Sequence, residues 1–141
     1  MLRPATKQLA LTTLPQVLKF QMKRFRWAGR DRAKISKHVA FTLELDMSSH
    51  MKSSSSSSPR QVYDLAAVIV HEGQSMSGGH YKCYAYNPAI GSWVVKNDAR
   101  VSAVEQHEIL RLEAYLLFYV HRRATQAARQ ELVSLPATPM H

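Results

Sequence analysis

Between Leu14 and Phe25, the apolar residues Leu18, Phe20 and Met22 alternate with Lys19, Gln21 and Lys23. A period of two marks a strand with one buried and one wet face. Pro15 suits the strand's entry, where its missing N–H costs no ladder bond. Trp27 to Lys37 is polar, basic and centred on Gly29, which predicts a turn or hairpin. Val39, Phe41, Leu43 and Leu45 form a second alternating set. Ser53 to Ser58 is an unbroken serine run followed by Pro59, so residues 48–60 predict a surface loop that buries nothing. Tyr63 to Val70 is nearly continuous in apolar residues and rich in β-branched ones, as in a strand buried on both faces.

Further along, Gln74 to Gly79 reads as a Gly/Ser loop. Tyr81 to Tyr86 and Ser92 to Lys96 predict two strands joined at Asn87-Pro88 and Gly91. Ser102-Ala103-Val104-Glu105 has capping-box spacing and predicts a helix running to about Leu112. Ala114 to Val120 predicts a last buried strand, and His121 to Val133 a further helix before Pro136 and Pro139 mark a loose tail. Roughly six strands and one or two short helices make an α+β domain dominated by an antiparallel sheet.

The 141 residues are 45% hydrophobic and 21% charged, which fits a globular domain and excludes collagen, coiled coil and wholesale disorder. No apolar run approaches the roughly 18 residues of a membrane-spanning helix, so no membrane partner is expected. The net charge is +9, and eight basic residues lie between Lys19 and Lys37 against Asp31 alone. Such a cluster attracts phosphates or acidic protein surfaces, or is simply a solvated hairpin. Stacking platforms for nucleic acid interleave bases with exposed aromatics on one sheet face. That pattern is missing, and nucleic acid is not an expected partner. Cys83 stands alone, which excludes an internal disulfide and any paired-thiolate metal site within these residues. A reducing intracellular setting, nucleus or cytoplasm, fits a lone thiol. Residues 1–30 lack Asp and Glu, as transit peptides do, but the strand pattern at 14–25 argues for folded structure there.

The chemistry concentrates in Ser77-Gly78-Gly79-His80-Tyr81, followed by Trp93 and Asn97-Asp98. Glycines before a strand let backbone pass close to a ligand. An imidazole at the strand's start can serve as a general base, since it titrates near neutrality. Such a base needs a third group to fix its tautomer, and Asn97 or Asp98 lies one hairpin away. Spacing alone leaves His80 open between base and structural imidazole. The other histidines lack such a setting: His71 ends a strand, while His107 and His121 sit among charged neighbours, as surface residues do.

The sequence resembles the C-terminal half of a ubiquitin-specific protease catalytic domain. The resemblance rests on Leu14-Pro15-Gln16-Val17-Leu18, Lys23-Arg24-Phe25, Phe41 to Met47 and Tyr63 to Val68. It continues through Ser77 to Tyr81, Trp93 to Asp98 and Ala114 to Tyr119, in the family's order, over about residues 6–122. The flavour is nearest to the nuclear, histone-directed branch. This implies a partial papain-like fold, the family's "palm", and a cysteine isopeptidase that needs no cofactor. It assigns His80 as general base, Asn97 as the residue orienting it, and Asp98 as an assisting polar group. Gly78 and Gly79, with Tyr81, would bind substrate along the narrow channel for ubiquitin's diglycine tail. The implied partners are ubiquitin, ubiquitinated proteins with histones among them, and the N-terminal half of the catalytic domain.

The family's Gly-Asn-Thr-Cys nucleophile box does not occur here, nor do its paired Cys-x-x-Cys zinc ligands. Cys83 follows His80 by an odd offset on a strand, so it points to the other face and reads as a small buried residue. The expected organisation is a lead-in at 1–13, half of a catalytic domain at 14–122 and an extension, partly disordered, at 123–141. Two functions stay open: a deubiquitinase fragment that supplies the base but not the nucleophile, and a non-catalytic ubiquitin-binding or scaffold module.

Overall fold

The computed structural model describes residues 6–7, 9–28, 31–52, 59–73 and 78–127. Its strands are β1 (Val17–Gln21), β2 (Phe25–Ala28), β3 (Asp31–Lys34), β4 (Glu44–Asp46) and β5 (Val62–Glu72). They continue with β6 (His80–Asn87), β7 (Ser92–Asn97), β8 (Arg100–Val104) and β9 (Ala114–His121). One antiparallel sheet runs in the order β1-β9-β5-β6-β7-β8, with β4 added to β5. β2 and β3 form a separate hairpin, as the basic, Gly29-centred segment predicted.

β5 is the long β-branched run, and both its edges are used. β9 pairs along one edge, from Tyr63 to Val70. β4 takes Val62 to Asp64 on the other edge, and β6 takes Ala67 to Glu72. A register irregularity between Leu65 and Ala67 shifts the side-chain phase. Tyr63 and Leu65 before it, and Val68 and Val70 after it, therefore face the same core. The shift explains why the sequence shows a run there and not an alternation. β1, at the sheet's edge, keeps the alternation: Leu18 and Phe20 are half-buried while Val17, Lys19 and Gln21 face water.

Two sequence expectations are corrected. Ser102 does not open a helix; it lies in edge strand β8, opposite Val95. The capping box sits three residues later, where Glu105 caps the single turn of α1 (Gln106–Ile109) through Glu108. The chain leaves α1 early because Ala114 must enter β9 beneath the core, with Ile109 fully buried behind it. The second alternating set gives a strand of only Glu44–Asp46, since β6 occupies the rest of that edge. Phe41, Leu43 and Leu45 still pack on the core, while Val39 is exposed. A second short helix, α2, spans 122–127, and Arg122 ties its start to Asp64 and Glu44. Ser53 to Ser58, Gln74 to Ser77, the rest of the helix predicted to Val133 and the tail marked by Pro136 and Pro139 lie outside the described residues.

Arg24 fastens the hairpin to the sheet. Its side chain is buried, and Nε donates to the Ala114 carbonyl at 2.7 Å. Its Nη1 donates to the carbonyls of Ile35 at 2.9 Å and Lys37 at 2.7 Å. One guanidinium thus joins the start of β2, the chain after β3 and the start of β9. A second polar knot closes the neck of the serine-rich insertion. Asp46 Oδ1 accepts from the Ser48 N–H at 2.9 Å and hydroxyl at 2.5 Å, while Oδ2 accepts from Arg60 at 2.9 and 2.7 Å. The Ser48 hydroxyl accepts in turn from the Gln61 N–H at 2.9 Å. These bonds, those from Ser48 first, hold the Asp46 carboxyl down at about 2.

Losing three charge-assisted hydrogen bonds made by a buried side chain should be costly. Arg24→Ala is expected to lower unfolding free energy by about 3 kcal/mol, measured by urea denaturation. For Asp46 the folded value lies below the ordinary 3.8. Its contribution is therefore present above that value and lost as pH falls toward 2. Asp46→Asn should be less stable than wild type at neutral pH, and the two urea curves should converge at the acid end.

Candidate active site

The β6–β7 pairing sets Cys83 opposite Lys96. Continuing that register brings Lys82 opposite Asn97, and strand alternation puts His80 on the same face as both. His80 Nε2 lies 2.5 Å from Asn97 Oδ1. An amide oxygen only accepts, so Nε2 is the donor in this bond, and in the neutral ring that leaves the lone pair on Nδ1. The side chain of His80 is 40% exposed, which leaves Nδ1 room for a reacting partner. β7 and β8 are joined by the two-residue turn Asp98-Ala99, and Asp98 takes the left-handed φ of 50° that this turn demands. Asp tolerates that region better than most residues. The turn sets Asp98 Oδ2 3.8 Å from His80 Nε2, in solvent. His80, Asn97 and Asp98 therefore come together. Lys82, on the same face, is neutralised by Glu72 at 2.7 Å, a bond that also raises the lysine's pKa.

The glycines behave differently from each other. A Cβ on Gly78 would meet nothing within 4 Å among the described residues, which leaves that backbone open to an approaching chain. A Cβ on Gly79 would fall 2.2 Å from His71 Nε2 and 2.6 Å from the Glu72 carbonyl. Gly79 is thus required by the protein's own packing. Tyr81 points to the sheet face opposite His80. It is 56% exposed, with its ring 4.8 Å from that of His71 and 6.1 Å from that of Tyr115.

Cys83 also lies on the face away from His80, as its offset predicted, but it is half-buried rather than buried. His121 is not a plain surface residue: its ring packs 4.9 Å from Tyr63 and bonds Gln61. His71 was missed. It is 3% exposed, with Phe25 and Tyr81 against its ring. Its one sequence signal was a His closing an otherwise apolar run just before two glycine-bearing turns.

A family model described as ubiquitin carboxyl-terminal hydrolase matches residues 2–119. The chain belongs to the ubiquitin carboxyl-terminal hydrolase family. Ubiquitin carboxyl-terminal hydrolase 44 of Danio rerio is 39% identical over 92% of this chain and 19% of its own length. Ubiquitin carboxyl-terminal hydrolase 3 of Homo sapiens is 38% identical over 85% of this chain and 23% of its own length. The chain thus spans about a fifth of the relatives it matches. Among solved structures, the SAGA Ubp8/Sgf11/Sus1/Sgf73 DUB module bound to ubiquitin aldehyde is similar. That likeness has a TM-score of 0.72 and 31% identity, covering 80% of this chain and 26% of that one. The antiparallel sheet with two short helices is the fold this family shares.

The Nε2–Oδ1 bond should be visible directly. In the ¹⁵N-labelled chain, His80 should show the Nε2-protonated tautomer with a slowly exchanging, downfield ring proton. Asn97→Ala should abolish that signal and let the two tautomers interconvert.

Proposed function

We propose that this chain carries the base-bearing half of the catalytic domain of a cysteine deubiquitinase, which cleaves ubiquitin from protein lysines. The observation that carries the reading is the His80–Asn97 bond at 2.5 Å, which reserves Nδ1 as proton acceptor within a ubiquitin hydrolase family fold. A cysteine from the family's nucleophile box would give its thiol proton to His80 Nδ1 and attack the isopeptide carbonyl. A carbon–sulfur bond forms, the carbon–nitrogen bond breaks, and His80 returns the proton to the leaving lysine amine. Water, deprotonated by the same nitrogen, then hydrolyses the thioester and restores the thiol. Asn97 holds the ring through both half-reactions, with Asp98 beside it as an assisting polar group.

Gly78, with open space where a side chain would be, suits close approach by ubiquitin's diglycine tail. Gly79 shapes the same stretch, and Tyr81 offers an exposed ring beside it. Similarity to SAGA DUB modules favours a nuclear setting and histone-linked ubiquitin as substrate. No helix among the described residues is long and apolar enough to cross a membrane. A second reading, a non-catalytic ubiquitin-binding module, is favoured by one fact: Cys83, the chain's single thiol, faces away from His80.

The test is a chimera in which this chain replaces the matching segment of the Danio rerio relative. Ubiquitin–fluorophore hydrolysis by the chimera is expected, and His80→Ala should lower it on the order of a thousandfold with ubiquitin binding kept. Asn97→Ala should cost less, because it moves no proton itself. A folded, ubiquitin-binding chimera without turnover would decide for the binding module. If His80→Ala kept more than about a tenth of the rate, a barrier change of only about 1.4 kcal/mol, His80 would not be the base.

A further inference from the structure

The geometry points to His71 as a positioning residue, which sets where the His80 backbone stands and so where its ring meets Asn97. This rests on the catalytic reading of His80 given above. His71 touches no reacting atom, since strand alternation sends its side chain to the sheet face opposite His80. Its ring presses instead on the residue just before His80. An added Cβ at Gly79 would lie 2.2 Å from Nε2 and 2.7 Å from Cε1. Gly73 closes the other side of the same contact: a Cβ there would meet the Gly78 carbonyl at 2.7 Å and Gly79 Cα at 2.9 Å. The segment entering β6 is therefore wedged between Gly73 and the His71 ring.

A wedge positions something only if it is itself fixed. His71 is held by an edge contact to Phe25 at 5.6 Å and a tilted one to its cross-strand partner Tyr81 at 4.8 Å, and more loosely by Tyr115 at 6.3 Å. Its carbonyl accepts from Lys34 Nζ at 2.5 Å, which ties the residue to the basic hairpin. The imidazole is also retained at a cost, for Nδ1 is buried with no partner among the described residues. A hydrocarbon side chain would escape that penalty. What an imidazole offers here is a thin, rigid five-membered ring. A six-membered ring would drive into Gly79, and a short side chain would leave the Gly78–Gly79 segment unsupported.

The experiment reads the His80 ring in the full 141-residue chain and kinetics in the chimera described above, for wild type, His71→Ala and the slimmer, polar His71→Gln. Wild type should show a nuclear Overhauser contact between His71 Hε1 and the Gly79 Hα protons, together with the protected His80 Nε2 proton. In variants whose other amide shifts report a folded chain, that proton should be lost to exchange. In the chimera, kcat should fall about 10- to 100-fold, by more than any rise in KM, which would report the contacts of Gly78 and Gly79 with the ubiquitin tail. A loss that only tracked unfolding temperature, or that fell on KM alone, would mean a structural role and overturn the proposal. So would folded variants that keep the His80 proton and wild-type kcat. If neither variant folds, the wild-type contact decides, and its absence rejects the wedge. An inactive wild-type chimera would count against the deubiquitinase reading alone, since the magnetic resonance results stand without turnover.

Discussion

An eleven-residue strand that must satisfy two full edges governs this molecule. β5 is buried along most of its length, so each of its N–H and C=O groups needs a partner in the sheet. β9 supplies one edge; β4 and β6 share the other, end to end. This sharing has consequences at both ends. It stops β4 on the side before Glu44, while at Asp46 the ladder ends because β5 itself begins opposite it at Val62, and there the polar knot with Ser48 and Arg60 holds the neck of the insertion. It also delivers His80 opposite Glu72, at the far end of β5, where the ladder stops and side chains become accessible.

The candidate site is a product of antiparallel register more than of any loop. Asn97 reaches His80 because β6 and β7 are hairpin neighbours and their phase places both side chains on one face. A slip of one residue in β7 would turn Asn97 away and present Lys96 in its place. The tight turn at Asp98 locks that phase from the other side, since Asn97 is also paired with Arg100 of β8. The left-handed backbone at Asp98 is thus part of what fixes Asn97, apart from anything its carboxylate does.

What was legible in the sequence follows from how burial is distributed. β1 announced itself because one face is wet and the other packed. β8 did not, because Arg100, Val101, Ser102 and Ala103 are all exposed on an edge and carry no burial signal. Its serine then imitated a cap that Glu105 provides. The His80–Asn97 pair could be anticipated from spacing and family resemblance, and the parity of Cys83 from alternation alone. His71 could not. Its importance comes from which glycine lies across the hairpin, and a chain of letters does not display that register until the strands are paired.

Arg24 shows the same limit from the energetic side. In the sequence it is one basic residue of eight in a charged stretch, and charge alone suggests solvent. In the fold it is buried, and its donors go to three carbonyls on two segments, the chain just after β3 and the start of β9. Those carbonyls lie at strand ends, and a forked cation answers several at once. The Ala114 carbonyl it holds belongs to the first residue of β9, and Met22 bonds the Tyr115 carbonyl one step further on. Through Tyr115 and Phe25 this anchor reaches the ring of His71. The basic hairpin and the base-bearing hairpin, distant in sequence, are therefore mechanically one assembly, joined on the face of the sheet that His80 does not occupy.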